Sequence, residues 1–445
     1  MTRTAASARI GSAWPTDTWW QLFADPALDA LEQEALAGNP SLHMARARVD
    51  QAEAGVGLAR AALWPNAHAN LALTRERFSG HDVVPPPFAG TSQTESRVAL
   101  DFGYEFDFWG SHRAELAAAL DDDAAARADA FAARLVLATA VATVYVELAR
   151  LGDQLEIERR FLEERRQVFE LTGRLVEAGL GTRVELKQAE AALPASRGRI
   201  AALEESSALA RHQLASLVGK GPDRALDIGL PHLQPIDSQA ILPSSLSADL
   251  IGRRPDVEAS RLRAEAAAQE IKVAKAGFYP DVNLLAFVGF QSIGLSELMT
   301  AGSRIAGVGP AVRLPVFEGG RLRSQVAGRR AQFDLAVEAY NQSVIQGLRE
   351  VADQLAVAHS LTEQRSEQER ALADAREAYE LSVKRYEEGV GTYLSVLSTE
   401  AAVLEQEHLG ADLRAAGFSE HVQLVRALGG GFRPGVKDSS PSDSP

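Results

Sequence analysis

Apolar side chains recur at every seventh position along two long stretches of the chain. Residues 111–178 contain no proline and only two glycines, which favours one uninterrupted α-helix on the order of 100 Å long. Within it, the apolar residues at positions 148, 155, 162, 169 and 176 mark the seam of a left-handed coiled coil. A shorter helix with the same period follows, and residues 320–388 and 393–428 repeat the pair. The pattern predicts two long helical hairpins.

The period changes to two in four shorter segments, at about residues 67–77, 96–108, 281–290 and 305–315. Such alternation predicts β-strands, paired here as two hairpins. The second segment has a polar face with Arg97 and Asp101. Its apolar face consists of Val98, Leu100, Phe102, Tyr104, Phe106 and Phe108. This strand suits a soluble sheet whose apolar face covers a core, or an outer-membrane barrel whose apolar face meets lipid. The alternation alone leaves both interpretations open.

Two nearly identical turns connect the long helices. Gly179, Gly181 and Thr182 align with Gly389, Gly391 and Thr392, which lie 210 residues later (389 − 179). Two glycines around one residue suit a helix that ends in left-handed geometry, and the threonine suits the N-cap of the next helix. One copy would indicate only a helix–helix turn, whereas two copies between patterned helices indicate a duplicated unit.

The duplication divides the chain into five segments. Two structural repeats, 25–219 and 246–428, each contain a helix, a β-hairpin, a long helix, a tip turn (179–182 and 389–392) and a final helix. Residues 1–24 are predicted to be irregular. Residues 220–245, which are rich in glycine and proline, are predicted to be a linker, and residues 429–445 a disordered tail.

The composition argues against several classes of function. Among the 445 residues, 60 acidic and 46 basic side chains give a net charge of −14, which disfavours nucleic acid as a partner. No cysteine is present, so the chain has no disulfide, thiolate metal site or cysteine nucleophile. The histidines lack metal-binding spacing, and the acids of the long helices are best interpreted as solvated faces, so we expect neither an enzyme nor a cofactor. No run approaches 18 apolar residues, so no transmembrane helix is predicted.

Four strands are too few to close a membrane barrel, since closed barrels start at eight strands. An open pair of hairpins would expose its edges and its apolar face, so the chain needs copies of itself. Two copies would give eight strands around side chains, and three would give twelve strands around an aqueous lumen.

Several motifs resemble outer-membrane efflux channels of the TolC/OprM type, and within that type the NodT-like lipoproteins. They are the duplicated turn, residues 19–26 (WWQLFADP), residues 104–110 (YEFDFWG) and residues 314–321 (LPVFEGGR). The resemblance covers about residues 17–428. It implies a mainly α-helical fold with a membrane β part, in which a homotrimer completes a 12-stranded β-barrel and a 12-helix α-barrel.

The resemblance also implies a function and its partners. A member of this family is a passive duct in the outer membrane, extending into the periplasm, that exports small molecules such as drugs. It docks to a periplasmic adaptor protein and, through the adaptor, to an inner-membrane proton-driven pump of the RND type. Those lipoproteins begin with a signal peptide and a lipidated cysteine. The sequence contains neither, so we expect that the leader is missing from it.

The same resemblance suggests site residues at the periplasmic tip. The two turns, with Gly179, Gly181, Thr182, Gly389, Gly391 and Thr392, are expected to dock the adaptor. The family places acids six and nine positions after the first glycine of the second turn, where this chain has Ser395 and Ser398. Glu185 matches an acid of the first repeat, and Tyr386 matches a tyrosine that can hydrogen-bond that acid and hold the tip shut. Tyr386 also continues a heptad, so packing alone is an equally good interpretation.

Two alternatives compete with the channel. A periplasmic adaptor or scaffold would also carry a coiled-coil hairpin, but normally only one, and the aromatic alternation of residues 98–108 argues against it. An enzyme would need a paired nucleophile or a metal cluster, which the sequence does not suggest.

Overall fold

The computed structural model describes residues 14–81, 83–233 and 252–433. These residues form seven α-helices and four β-strands. The helices are α1 (Pro26–Gly38), α2 (Pro40–Ala61), α3 (Ser111–Glu177), α4 (Arg183–Leu217), α5 (Pro255–Ala276), α6 (Arg321–Glu387) and α7 (Tyr393–Ala427). The strands are β1 (Asn66–Arg77), β2 (Ser92–Glu105), β3 (Asp281–Ile293) and β4 (Arg304–Arg313).

Each long helix of the first half has a counterpart of equal length in the second half. α2 and α5 have 22 residues each, α3 and α6 have 67 each, and α4 and α7 have 35 each. This agreement confirms the predicted duplication of long helices and β-hairpins. The chain divides into two compact units that each draw on both halves: Met1–Arg46, Ala128–Glu258 and Gln342–Pro445 form one, and Ala47–Arg127 and Ala259–Asn341 form the other. The repeat boundaries at 25–219 and 246–428 stay predictions.

The four strands form one antiparallel sheet in the order β1-β2-β3-β4. Val98 on β2 lies opposite Leu71 on β1 and Phe290 on β3. Val288 on β3 lies opposite Ala306 on β4. Because side chains alternate between faces, this register places the apolar positions predicted for β2 on one face, beside apolar residues of the other three strands. The two-residue period therefore predicted the face of the sheet correctly.

The end of β2 differs from the prediction. The strand runs from 92 to 105 rather than from 96 to 108, so Phe106 and Phe108 lie beyond it. The reason is Asp107, whose carboxylate accepts hydrogen bonds from the backbone amides of His112 at 3.2 Å and Arg113 at 3.0 Å. These bonds cap the start of α3 and turn the backbone out of the sheet. β4 similarly covers 304–313 rather than 305–315.

Three segments predicted to be irregular contain ordered structure. Trp19–Phe23 form a 3₁₀-helix with both tryptophans buried, and Pro222–Asp227 form another. Gly429, Gly430 and Gly431 are buried and all have positive φ angles, so the ordered chain continues past residue 428. Close packing explains this order. For example, a Cβ added at Gly431 would lie 2.6 Å from a carboxylate oxygen of Asp17. Residues 234–251, which cover part of the predicted linker and the start of the second predicted repeat, and residues 434–445 of the predicted tail lie outside the described residues.

The main hydrophobic core belongs to the first unit and is built from α1, the middle of α3 and the ends of α4 and α7. The Tyr145 hydroxyl on α3 donates to the Asp25 carboxylate at 2.7 Å, which ties the start of α1 to this core. Glu32 on α1 is fully buried, and burial raises the pKa of its carboxyl to about 9. An acid at this position is therefore protonated at neutral pH.

Within the described part of the chain one helix, α3, is apolar enough by length and composition to cross a membrane, whereas the sequence predicted no such helix. An 18-residue window in it has a mean hydropathy of 1.6, and 56% of that window is buried within the chain. Alanines interspersed with a few polar residues raise the window average without forming a continuous apolar run. Burial of more than half of this window is typical of a helix in a protein core.

Candidate tip and gate of the helical hairpins

The first turn ends α3 with a Schellman motif. Gly179 has a φ of 75°, a left-handed conformation that glycine adopts without strain. Its amide donates to the carbonyl of Val176 at 3.1 Å, and the amide of Leu180 donates to the carbonyl of Leu175 at 2.8 Å. Gly181 serves a different purpose, because an added Cβ would lie 3.1 Å from the Val176 side chain. The first glycine permits the turn, and the second permits the close approach of the next helix.

The second turn repeats this geometry at the end of α6. Gly389 has a φ of 73°, and the amide of Val390 donates to the carbonyl of Arg385 at 3.0 Å. A Cβ added at Gly391 would lie 2.9 Å from the backbone of Arg385 and Tyr386. The left-handed geometry predicted for Gly179 and Gly389 is therefore confirmed.

The two threonines cap the helices that follow, but they do so differently. Thr182 Oγ1 accepts from the amide of Glu185 at 3.2 Å, and the Glu185 carboxylate accepts from the amide of Thr182 at 2.7 Å. This is a complete capping box at the start of α4. Thr392 Oγ1 accepts from the amide of Ser395 at 3.3 Å, but serine offers no carboxylate to complete a box. The Glu185 carboxylate is therefore engaged in its own helix cap.

Tyr386 does not bond Glu185, in contrast to what the resemblance suggested. Its hydroxyl donates to Thr172 Oγ1 on α3 at 3.1 Å. The tyrosine is 4% exposed, and its position on α6 directs the ring between the helices, whereas Glu185 folds back onto the cap. The bond thus joins α6 to α3 directly.

A small apolar cluster surrounds this bond. It buries Ala189 of α4, Tyr386 of α6 and Tyr393 of α7, and the two tyrosine rings are 6.0 Å apart. Burial raises the pKa of Tyr386, the nearby Glu185 carboxylate acts in the same direction, and the bond to Thr172 opposes it. Burial also raises the pKa of Tyr393 to about 12. Both phenols are therefore protonated at neutral pH and can act as hydrogen-bond donors.

Two groups of charged residues connect α7 to its neighbours, and the sequence had not suggested them. Arg165 Nε on α3 lies 2.8 Å from the Glu400 carboxylate, and the two side chains are 10% and 7% exposed. Burial raises the pKa of Glu400, and Arg165 opposes that shift. Seven residues later, Glu407 contacts Arg160 on α3 and Arg376 on α6. The heptad spacing of Glu400 and Glu407 along α7 is the signal that could have revealed them.

The remaining gate candidates lie on the first two turns of α7. Ser395 and Ser398 are both exposed. The Ser398 hydroxyl donates to the carbonyl of Ser395 at 3.0 Å, and the Ser395 hydroxyl lies 3.0 Å from Thr392 Oγ1. Both hydroxyls bond to neighbouring residues of the same helix end, and no hydrogen bond joins either serine to Tyr386 among the described residues.

Strand β2 of the second unit separates apolar from polar side chains, whereas on β3 Leu285 and Phe287 share the face of Asp101. On the apolar face of β2 Leu100 and Phe102 are 47% and 41% exposed, which is unusual for large apolar side chains on neighbouring positions. On the other face Asp101 accepts from Arg97 and, at 2.6 Å, from Asn70. Tyr104, Phe106 and Phe108 form a chain of ring contacts at the end of β2, with centroids 5.0 Å and 5.6 Å apart.

Comparisons with known proteins agree with this geometry. The family described as "Outer membrane efflux protein" matches residues 31–220 and 246–430. The fusaric acid resistance protein FusA of Burkholderia cepacia is 35% identical over 96% of this chain and 81% of its own length. The multidrug resistance outer membrane protein MdtP of Escherichia coli is 31% identical over 95% of this chain and 88% of its own. The crystal structure of the outer membrane protein VceC from Vibrio cholerae is 37% identical and covers 94% of this chain and 100% of that one, with a TM-score of 0.88.

Proposed function

The chain belongs to the outer membrane efflux protein family, and from this premise we propose that three copies assemble into one continuous export duct. Like the other members of this family, the protein is an efflux channel of the outer membrane. The trimer, its partners, its cargo and the roles of individual residues are the proposal.

The observation that carries the trimer is the open sheet. The described residues place β1 and β4 at its two edges, and four strands cannot close into a membrane barrel. Three copies supply twelve strands, which close the edges and leave room for a lumen. The same threefold assembly combines α3, α4, α6 and α7 of each chain into a tube of twelve helices.

The exposed apolar face supports contact with outer-membrane lipid. We assign Val98, Leu100, Phe102 and Tyr104 to the lipid-facing surface and Arg97 and Asp101 to the lumen. Phe106 and Phe108 follow the strand, so they suit the aromatic girdle at the rim of a membrane barrel better than its apolar band.

The turns suit adaptor docking because they present backbone and apolar side chains together. A Cβ added at Gly179 or Gly389 would meet nothing within 4 Å. The residues after these glycines, Leu180 and Val390, are 74% and 65% exposed. We propose that Gly179, Gly181, Thr182, Gly389, Gly391 and Thr392 form the surface for a periplasmic adaptor, which links the channel to an inner-membrane proton-driven pump.

The narrow end of the tube is assigned to Glu185, Tyr386, Ser395 and Ser398. Serines in place of the family's acids, and a Glu185 carboxylate engaged in a helix cap, leave little free negative charge there. A ring of carboxylates in a poorly hydrated neck attracts cations strongly. This channel should therefore be only weakly cation-selective. It acts as a passive duct for small molecules and performs no chemistry of its own.

Size and conductance of the detergent-purified protein test the proposal. A trimer has three times the chain mass of 47.7 kDa, needs detergent to stay in solution, and forms discrete conducting units in planar lipid bilayers. A detergent-independent monomer or dimer without conductance would refute the trimeric duct and favour an adaptor or scaffold.

A further inference from the structure

A cavity of about 400 Å³ lies in the first unit, where α3, α6 and α7 meet. This volume is within the range of small-molecule sites in proteins. Its apolar wall includes Leu372 on α6 and Leu413 and Phe418 on α7. None of the residues assigned to the tip or gate lines it, so the channel function has not accounted for it.

His421 on α7 lines this cavity without using either ring nitrogen. The residue is 3% exposed, and neither Nδ1 nor Nε2 has a hydrogen-bond partner among the described residues. Burial lowers the pKa of the imidazole to about 4, so at neutral pH the ring carries one N–H donor and one acceptor. Buried polar atoms are nearly always paired, so an unpaired imidazole beside a cavity indicates a missing partner.

Arg365 on α6 reaches the same place because α7 has a glycine there. Gly417 lies one helical turn before His421 and on the same face of α7. The Arg365 guanidinium rests on Gly417, where an added Cβ would collide with it. One nitrogen, Nη2, donates to the carbonyl of Leu413 at 3.1 Å, but the buried Nε–H has no partner among the described residues.

The charges around the cavity leave Arg365 as its available cation. Arg160 and Arg376, which also line it, both contact Glu407, and Arg414, the fourth lining arginine, contacts Asp153. Arg365 has no carboxylate within 4 Å in the described part of the chain. Glu420 acts on it only at longer range, and burial raises the pKa of Glu420 toward its neutral form. A guanidinium in this position favours a carboxylate, with which it makes charge-assisted hydrogen bonds.

We propose that this cavity binds a small amphipathic organic anion. The carboxylate of the ligand accepts from Arg365 Nε–H and from the ring N–H of His421. An apolar or aromatic body of about one ring occupies the space beside Leu372, Leu413 and Phe418. The site is lined by three helices of one chain, so the ligand can bind without passing through the channel.

The probe is 4-fluorobenzoate, followed by ¹⁹F NMR titration of the detergent-purified protein, with empty micelles as the reference. 4-Fluorobenzyl alcohol and 4-fluorobenzylammonium provide a neutral and a cationic probe of the same shape. We expect saturable binding of the benzoate with one site per chain, and at least tenfold weaker binding of the other two.

Two variants test the anion contact and two serve as matched controls. Arg365→Gln removes the cation, and Gly417→Ala displaces it while favouring the helix, because alanine has the higher helix propensity. Both should weaken benzoate binding about 10- to 100-fold, the effect expected for a hydrogen bond to a charged group. Arg370→Gln, on the same helix but pairing with Glu367, and Gly198→Ala, where an added Cβ meets nothing within 4 Å, should bind as the wild type does.

Benzoate binding that equals binding of the neutral probe would overturn the proposal. So would unchanged affinity in Arg365→Gln, or equal losses in the test and control variants. Normal conductance with no benzoate binding would refute this site and leave the proposed channel intact. Benzoate binding without conductance would refute the channel and leave this site intact.

Discussion

The substitution Tyr386→Phe removes one hydroxyl from the buried tip cluster and changes nothing else. That hydroxyl donates to Thr172 Oγ1 at 3.1 Å, and Thr172 Oγ1 donates in turn to the carbonyl of Val168 at 2.8 Å. Thr172 keeps its own donor satisfied after the change, so no buried donor loses its partner. The cost should therefore be that of one net hydrogen bond, about 1 kcal/mol. A change of this size shifts a two-state equilibrium roughly fivefold.

The bond joins α6 to α3, so it stabilises a tip in which these helices are in contact. We expect opening to separate these helices. Losing the bond, worth about 1 kcal/mol, should then raise the open probability of single channels in planar bilayers about fivefold. Thr362→Val is the control, because Thr362 lies on the same helix outside the residues assigned to the tip and gate, and its exposed hydroxyl donates to the carbonyl of Ala358 within that helix.

Double-mutant cycles separate the two possible partners of Tyr386. Combining Tyr386→Phe with Thr172→Val should give a coupling free energy of about 1 kcal/mol. Combining it with Glu185→Gln should give additive effects within about 0.5 kcal/mol. Coupling to Glu185 instead of Thr172 would show that the tyrosine has a different partner in the native assembly. An unchanged open probability in Tyr386→Phe would refute its contribution to the gate.

Four further outcomes are expected. Gly389→Val forces a β-branched residue into left-handed geometry at a cost of about 1–2 kcal/mol, so drug-susceptibility assays should show lost efflux at normal trimer yield. Phe102→Arg places a charge in lipid at a cost of about 2–4 kcal/mol and should abolish membrane-embedded trimers, whereas His68→Arg on the opposite face should not. Ser395→Asp should create a block by trivalent cations added from the periplasmic side, which the wild type lacks. Glu32→Gln should raise the free energy of unfolding, measured by urea denaturation, by more at pH 8 than at pH 5, because only the glutamate must be kept neutral against a rising pH.

The sign of the pH effect follows from the raised pKa. The folded-state pKa of Glu32 is about 9 against an ordinary value of 4.5, so its neutral form favours the fold below pH 4.5 and that advantage is lost as the pH rises to 9. A stability difference that does not depend on pH would contradict the burial argument.

The other three predictions have their own refuting results. Normal efflux in Gly389→Val would contradict docking at the tip turn. Equal trimer yields in Phe102→Arg and His68→Arg would contradict the lipid-facing assignment, and a wild type already blocked by trivalent cations would contradict the gate assignment.

Periodicity and turn chemistry determined the architecture before any contact was known. A seven-residue period with few helix breakers identifies a long helix, because the period depends only on backbone geometry. Gly179 and Gly389 revealed the two turns, because only glycine adopts their left-handed geometry without strain. Strict alternation at Val98, Leu100 and Phe102 identified one face of the sheet for the same kind of local reason.

Contacts that no sequence period encodes decided where elements end and how they meet. β2 ends early because Asp107 caps α3. An acidic residue at an alternating position looks the same in the sequence whether it stays in the strand or caps the next helix. Tyr386 pairs with Thr172, 214 residues away, rather than with Glu185, because the rotation of α6 against α3 directs its ring. The Arg365 guanidinium reaches the cavity because Gly417, on another helix, leaves room for it. A sequence period specifies which face of a helix is apolar, but the partner of a side chain depends on the axial shift and rotation of two helices, which only the packed structure sets.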